Sequence, residues 1–537
     1  MSLDSGGSPG YSSPMASGRA FARITLPRLA LVLLLAPMLL VCARVLLSGI
    51  PDLAVEGDLA MLDISTRNLA EGRSLLGPYS RFGFNHPGPA YLFLRMPLCL
   101  ITGCSGSASY ITVPLLITVC LAAAFILVRR SCGDTVSIVF CLLILFYLMQ
   151  TSPVVWLRDW NPFVIIFPFL LFVMACAAVA SGRTGWFPAA VVCGSLVAQT
   201  HLGGVPVILI LLLFILPVHR LFGRAIPGKG GRVARPVVAG LVLGLALLLP
   251  VLVQELAPGE GNITRIFRFM AGNPSGVGLK TALREWSGAL TTFETGFLAP
   301  RFLRSRGILF QVVFVVALLR LFLITGCAVI LRKTGRSPFT GSLAVFLIVA
   351  HLSMFLGVLQ VRGDLHEYLF CWFSVTSPLS WLVFIGTVAV FAKGKIARLW
   401  IIQLILTLPA FLIAGSVVSR LGVFGPGRFD PLGYHDEQVE SLSAELAPLL
   451  GAQSGRSWFL EPVPRELWPV SAGVVNRLCS RGHDINLDAF FGSLVGTSPP
   501  AGATRLVLTE RDSAGSVCIE AFDIQGDPIP GSFGGSI

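Results

Sequence analysis

Apolar runs of about twenty residues recur along this 537-residue chain and constrain its fold more than any other feature. A helix of that length crosses a hydrocarbon core of about 30 Å, because each residue advances about 1.5 Å. A helix also satisfies its own backbone polar groups, which lipid cannot do. The runs fall at 29–50, 108–128, 134–151, 161–180, 186–202, 204–218, 236–255, 308–331, 340–359, 367–391 and 399–419. Charged residues make up 13% of the chain, roughly half the share in soluble proteins, so these are not ordinary core helices. The chain reads as an all-α polytopic membrane protein with about eleven transmembrane helices.

The formal charge of +12 would suggest a nucleic-acid partner for a soluble protein. In a membrane protein, basic residues instead mark the cytoplasmic side, so no nucleic acid is implied. Arg129/Arg130, Arg183, Arg220 to Arg235, Arg332/Lys333/Arg336 and Lys393/Lys395/Arg398 all fall on one side of the alternating spans. The tail at 1–28, with Arg19, Arg23 and Arg28, lies on that same side. Run 29–50 is too long for a signal-peptide core and lacks a small-residue cleavage site, so it reads as a retained first helix. An odd number of spans then places the C-terminus outside. Segment 87–103 is shorter and broken by Arg95 and Pro97, which suggests a re-entrant or interfacial helix rather than a crossing.

These marks divide the chain into a cytoplasmic tail (1–28), a transmembrane domain (29–420) and a C-terminal segment (421–537). The outer loops are 51–107, 152–160, 256–307 and 360–366, and two of them are long enough to expect function there. From about 421 the composition turns to that of a soluble protein. Strand-like runs at 458–460, 484–487, 505–508 and 517–519 surround helical stretches near 436–450 and 465–480. That order predicts a small extracytoplasmic α/β domain. Most Cys lie in apolar runs and read as small hydrophobes, and none has zinc spacing. Cys479 and Cys518 alone fall in the C-terminal domain, where an oxidising compartment would allow them to bond.

Polar residues gather where the first helix leaves the membrane: Glu56, Asp58, Asp63, then Arg81-Phe82-Gly83-Phe84-Asn85-His86-Pro87-Gly88-Pro89. Ionisable groups beside lipid call for a reason. Leu59, Leu62, Leu69 and Ala70 predict an amphipathic helix over 58–71 lying on the membrane, with Asp58 at its head. His86 precedes Pro87, which disfavours helix there and leaves an imidazole in a turn. The plainer alternatives are solvated loop acids at 56 and 58, a turn-capping His86 and a surface pair at Arg158/Asp159. The loop 256–307 carries Arg265, Arg268, Lys280, Arg284, Arg301, Arg304 and Arg306, suited to anionic headgroups or a phosphorylated donor. Arg320 and His351 lie within spans, where ionisable groups are functional suspects. Asn262-Ile263-Thr264 is a glycosylation sequon and reads as uninformative.

With an acid after the first span, an interfacial helix ending at Gly72 and a polar-Pro turn opening a second helix, the chain resembles the GT-C superfamily. These are integral-membrane glycosyltransferases, and the likeness is to the aminoarabinose and protein-mannosyl transferase branches. The turn of those branches carries Lys-Pro-Pro where this chain has His86-Pro87-Gly88-Pro89. Their first loop opens on Asp-Glu, whereas Asp58 here precedes Leu59, so the choice between Asp58 and Glu56 stays open. Arg158-Asp159-Trp160-Asn161-Pro162 and Gln199-Thr200-His201 resemble further patterns of the same group.

The resemblance implies an inverting transferase in the bacterial inner membrane, moving a sugar from a polyprenyl-phosphate donor to a glycan, lipid or protein acceptor on its outer face. It implies Asp58 as general base, Glu56 or Asp159 as alternative or auxiliary carboxylates, and Arg81, His86 and Arg158 at the donor phosphate. Asp63, Asn85, His201, Arg362, His366 and Tyr368 are further candidates for lining the site. No divalent metal is required by this chemistry. The competing readings are a lipid-linked-sugar flippase or transporter, and a glycan polymerase or ligase.

Overall fold

The computed structural model describes residues 25–49, 51–104, 106, 108–223, 230–259, 261–272, 276–291, 307–362, 365–392, 399–427, 429–452, 456–497, 499–510 and 517–522. Arg19, Arg23, Arg301, Arg304, Arg306, Lys393, Lys395, Arg398 and the side chain of Cys518 lie outside the described residues.

The membrane region opens with α1 (Leu26–Leu47), and the first loop holds α2 (Gly57–Ala70) and α3 (Ala90–Thr102). It continues through α4 (Ser109–Cys132) and α5 (Asp134–Gln150). The short α6 (Pro153–Leu157) and α7 (Asn161–Val164) lead into α8 (Ile166–Ala180), then α9 (Phe187–Thr200), α10 (Gly204–Phe222) and α11 (Gly230–Leu256). The next long loop holds α12 (Asn262–Gly272) and α13 (Leu279–Leu290). Four long helices follow: α14 (Gly307–Thr334), α15 (Pro338–Leu359), α16 (Thr376–Ala392) and α17 (Leu399–Arg420).

Each expected span coincides with a helix. Among the described residues, nine helices are long and apolar enough to cross a membrane. The other two expected spans, α5 with 17 residues and α9 with 14, are shorter. The all-apolar sequence of α8 follows from its place, since it is buried at every position among α4, α9, α10 and α15. Around it, Leu213, Leu245, Phe322 and Leu412 point outward, as a lipid-facing belt requires.

Helix ends sort onto two faces. On one, Arg183 donates to the Arg130 carbonyl (3.2 Å) and His219 meets the Ala180 carbonyl (2.9 Å). On the other, Arg44 at the end of α1 donates to the carbonyls of Gly425 (3.1 Å) and Gly427 (2.9 Å). Arg420 closes onto the Met149 carbonyl on that same face.

The C-terminal part comprises α18 (Glu437–Ala452), β1 (Trp458–Val463), α19 (Trp468–Ser480), β2 (Ile485–Leu487), α20 (Ala489–Val495), β3 (Thr504–Glu510) and β4 (Val517–Phe522). The sheet order is β2-β1-β3-β4, with β1 parallel to β2 and β3, and β4 antiparallel to β3. Parallel neighbours need a crossover, and α19 supplies it between β1 and β2. Trp458 and Leu460 of β1, with Leu506 and Leu508 of β3, share a core with Val474 and Leu478 of α19.

Two expectations are corrected here. Helix α2 does not lie on a membrane with one polar face free; it is sandwiched between α3 and α19. Its buried residues include Asp63, Ser65, Thr66 and Asn68, and of these Asp63, Thr66 and Asn68 find partners on the C-terminal domain or α3. Only α3 shows an outward apolar face, with Phe93, Leu94, Leu100 and Ile101 exposed. The second correction concerns cysteines. Cys479 is a free thiol whose Sγ donates to the Ile485 carbonyl (3.0 Å). The disulfide forms instead between Cys99 and Cys104, at the end of α3, where Gly103 adopts a left-handed conformation (φ 68°) that turns the chain back.

Candidate active site

Two neighbouring residues, Arg158 and Asp159, are separated by backbone geometry. The chain is extended at Arg158 (φ −68°, ψ 129°) and Trp160 (φ −142°, ψ 141°) but turns tightly at Asp159 between them, where the Trp160 amide donates to the Arg158 carbonyl (2.9 Å). Asp159 therefore turns inward, while Arg158 and Trp160 turn toward the first loop.

Inward, Asp159 meets Arg95, which the sequence reading took only as an interruption of helix 87–103. Arg95 Nε donates to Asp159 Oδ2 (2.8 Å) and its Nη2 to Asp63 Oδ1 (2.7 Å), all three side chains being fully buried. Thr66 Oγ1 accepts from Arg95 (2.9 Å), Ser109 donates to Asp159 (2.7 Å), and Tyr91 donates its hydroxyl proton to Asp159. Asn476 of α19 donates to the second oxygen of Asp63 (3.2 Å). Both carboxylates are thus engaged in an ionic knot tying α2, α3, α4 and the C-terminal domain together. The surface-pair alternative for Arg158/Asp159 falls away, because Asp159 has no exposure at all.

On the other side of the chain, Asp58 sits half-buried in the first turn of α2, where helix amides favour a negative charge. Gly57, at φ 56°, lets the backbone enter the helix while Trp468 and Pro469 of α19 close against it. Burial raises the pKa of Asp58, with Arg158 and the Trp160 indole acting in the opposite direction. Glu56, exposed at the N-cap, is also raised, by burial and by Asp436, with Arg158 opposing. Arg158 therefore lies within electrostatic reach of both acids. Its buried Nε has no hydrogen-bond partner among the described residues.

Aromatic residues enclose this group. Trp160 lies beneath the Arg158 guanidinium (5.5 Å) and against Tyr368 (4.6 Å), and Tyr368 stacks on His366 (5.2 Å). His366 Nε2 accepts from Arg81 Nη1 (2.9 Å). Tyr79 completes the wall; burial and then Asp58 raise its pKa to about 12. Tyr368 is raised by burial and by Asp58, with Arg81 opposing. Asp58, Arg158, Arg81, His366 and Tyr368 thus share one site, although they come from three separate loops.

His86 is engaged in a neighbouring layer. Its Nδ1 accepts from the Leu202 amide (3.1 Å) and its ring packs on His201 (5.4 Å). Burial, then His201, hold its pKa well below the usual imidazole range, so the ring is neutral and its remaining donor is Nε2–H. His201 in turn bonds to the Leu369 backbone, one residue from Tyr368. Asn85 is fully buried and donates to the carbonyls of Gly77 (2.9 Å) and Leu494 (2.6 Å). The Asn262 side chain accepts from the Asn85 amide (2.8 Å), so this sequon residue docks α12 onto the first loop. Arg362 lies beside Gly276 in the third outer loop. Arg320 donates to Ser377 (2.9 Å) within the bundle, and the His351 carbonyl accepts from Trp286 (2.9 Å).

A cavity of about 410 Å³ opens at the opposite end of α2, lined by Arg67, Asn68, Glu71, Arg73, His483 and Asn486. There Arg67 is bonded to Asn476 (3.2 Å) and Glu71 to Arg73 (2.9 Å).

No family model matches the chain, and no curated protein matches it. Among solved structures it is similar to ArnT from Cupriavidus metallidurans in the apo state, at 14% identity and a TM-score of 0.46, covering 91% of this chain and 92% of that one. It is also similar to ArnT from the same organism bound to undecaprenyl phosphate, at 14% identity and a TM-score of 0.41, covering 91% and 93%.

Sequence reasoning passed over Arg95, Tyr79 and Trp468. For Arg95 a signal existed: a lone cation in an apolar helix implies a buried partner. Nothing local marks Trp468, which reaches the site only because α19 folds back onto α2.

Proposed function

We propose that the chain is a GT-C-type glycosyltransferase that moves a sugar from a polyprenyl-phosphate donor to a glycan, lipid or protein acceptor. The observation that supports this most is a half-buried Asp58 within electrostatic reach of Arg158, whose buried Nε has no hydrogen-bond partner among the described residues. In this reading Asp58 takes the proton of the acceptor hydroxyl, and that oxygen attacks the anomeric carbon opposite the phosphate. The sugar–phosphate bond breaks with inversion, and the leaving polyprenyl phosphate carries its charge to Arg158 and Arg81. A guanidinium presents two parallel donors to phosphate oxygens, which suits Arg to that role. The neutral His86 adds at most one neutral hydrogen bond, so the two arginines carry the charge.

The outer face of the inner membrane is the proposed location, with the first loop and C-terminal domain outside. The Cys99–Cys104 disulfide supports this, because disulfides persist in oxidising compartments.

The test is sugar transfer by purified protein with a panel of polyprenyl-phosphate sugars, run in EDTA because the mechanism needs no divalent metal. Asp58→Asn should lower the rate by about 10²- to 10⁴-fold with expression and thermal stability retained. Near-normal transfer by this variant, with Glu56→Gln inactive, would move the base to Glu56.

A further inference from the structure

A row of aromatic rings leads away from Asp58 along the C-terminal domain. Trp468 closes against Gly57, the residue before Asp58, and against Tyr79 of the site wall (5.6 Å between ring centroids). Phe491 stacks on Trp468 (5.7 Å, 20° between planes) and meets Phe490 edge-on (5.0 Å). The guanidinium of Arg465 lies over the Phe490 ring (4.9 Å).

The row is held from behind. Phe491 is 6% exposed and anchors Trp468 and Phe490 in place, while Phe490 is 41% exposed and Tyr79 and Trp468 are half-buried. Asp488 accepts from the amides of Phe490 (2.7 Å) and Phe491 (3.1 Å), fixing the turn that presents both rings. An aromatic surface with an apolar face and a polar neighbour is costly to leave in water unless something covers it.

We propose that this row is a subsite for an acceptor carbohydrate chain, seating sugar units behind the one that receives the transfer. The inference rests on the transferase reading and adds the acceptor class to it. Pyranose rings carry C–H groups on one face that pack on aromatic rings, while their hydroxyls stay hydrated or bond to cations such as Arg465. The row is continuous with the carboxylate that would deprotonate the acceptor, whereas α3, with its exposed Phe93, Leu94, Leu100 and Ile101, faces the lipid. A donor arriving from the membrane and an acceptor arriving along the C-terminal domain would then meet at Asp58.

The experiment measures binding of linear mannan, galactan, arabinan, rhamnan and glucan oligosaccharides to the full-length protein in nanodiscs, comparing disaccharides with hexasaccharides. The wild type should hold the hexasaccharides of at least one class more tightly than its disaccharides. Phe490→Ala, at an exposed position that tolerates truncation, should weaken hexasaccharide binding about tenfold, leaving disaccharides and thermal stability unchanged. Trp468→Ala should weaken both lengths and Trp468→Tyr should retain them. No binding by the wild type, or equal binding by Phe490→Ala, overturns the proposal. Asp58→Asn separates the two readings: it should bind as the wild type does. Binding without transfer from any donor would keep the subsite and remove the transferase.

Discussion

Asp58 and Asp159 show how neighbouring groups divide a carboxylate's work. Asp159 is ion-paired with Arg95 inside the protein, whereas Asp58 lies half-buried within electrostatic reach of Arg158. Because burial raises the pKa of Asp58, its basic form is lost as pH falls through a value above that of a free carboxyl. Arg158 opposes that rise, so Arg158→Gln should move the acidic limb of kcat/KM to higher pH. A limb at an unchanged pH would mean Asp58 is not the titrating base. The stability sign is fixed by the same shift: a raised carboxyl pKa makes the charged form a burden on the fold above that pKa. Asp58→Asn should then melt slightly higher than the wild type at neutral pH, the gap narrowing as pH falls through the raised pKa and gone below about 4. Arg95 is the opposite case. Arg95→Met would strand Asp63 and Asp159 as buried charges, a loss of about 3–5 kcal/mol, read as a large fall in thermal stability. A wild-type melting temperature in that variant would show that the knot contributes little.

At the scale of elements, α2 and α3 have similar lengths and both carry apolar stripes, yet their surroundings differ. Leu59, Leu62 and Leu69 are buried in α2, as the stripe requires, but so are its polar Asp63, Ser65, Thr66 and Asn68. Asn68 donates to the Val495 carbonyl (2.9 Å) and Arg67 to Asn476 (3.2 Å), both on the C-terminal domain. A hydrophobic pattern reports which face is apolar and not what covers the polar one. Helix α3 carries a redox feature that apolar patterning also hides. With the protein unfolded and unreduced, Cys99 and Cys104 should resist alkylation while Cys479 reacts, as read by peptide mass spectrometry. Labelling of Cys99 and Cys104 without reductant would contradict the disulfide. The C-terminal elements are the most legible: each predicted strand and both predicted helices overlap an observed one with ends within three residues, because alternation and turn residues are local signals. Helix α20, at seven residues, was too short to show.

For the whole molecule, the C-terminal domain acts as a cap on the first loop. The linker between them is stitched in place: Asp436 donates its amide to the Ala54 carbonyl (2.7 Å), and the Tyr434 hydroxyl accepts from the Asp159 amide (3.0 Å). Both contacts lie within a few residues of the site acids, so the cap's position sets the shape of the site. The proposed orientation puts the basic helix ends, with Arg129, Arg130, Arg332 and Lys333, on the cytoplasmic side. A C-terminal alkaline phosphatase fusion should therefore be active and a C-terminal fluorescent-protein fusion dark. The reverse pattern would put the cap and Asp58 on the cytoplasmic side and remove a periplasmic site.

Sequence alone determined the membrane helices, their alternation and the order of strands and helices after residue 421, since each depends on periodicity and charge within a short window. It also singled out Asp58, Arg81, Arg158, His366 and Tyr368, because polar groups at helix ends beside lipid stand out from an apolar background. Only tertiary structure decided which of them face one another. Asp63 and Asp159 look no different from Asp58 along the chain, and they separate because Arg95, 32 and 64 residues away, lies between them. Trp468 sits more than 400 residues from Asp58 in sequence and beside it in space. Contacts of that range depend on how α19 packs on α2, and no local pattern encodes it.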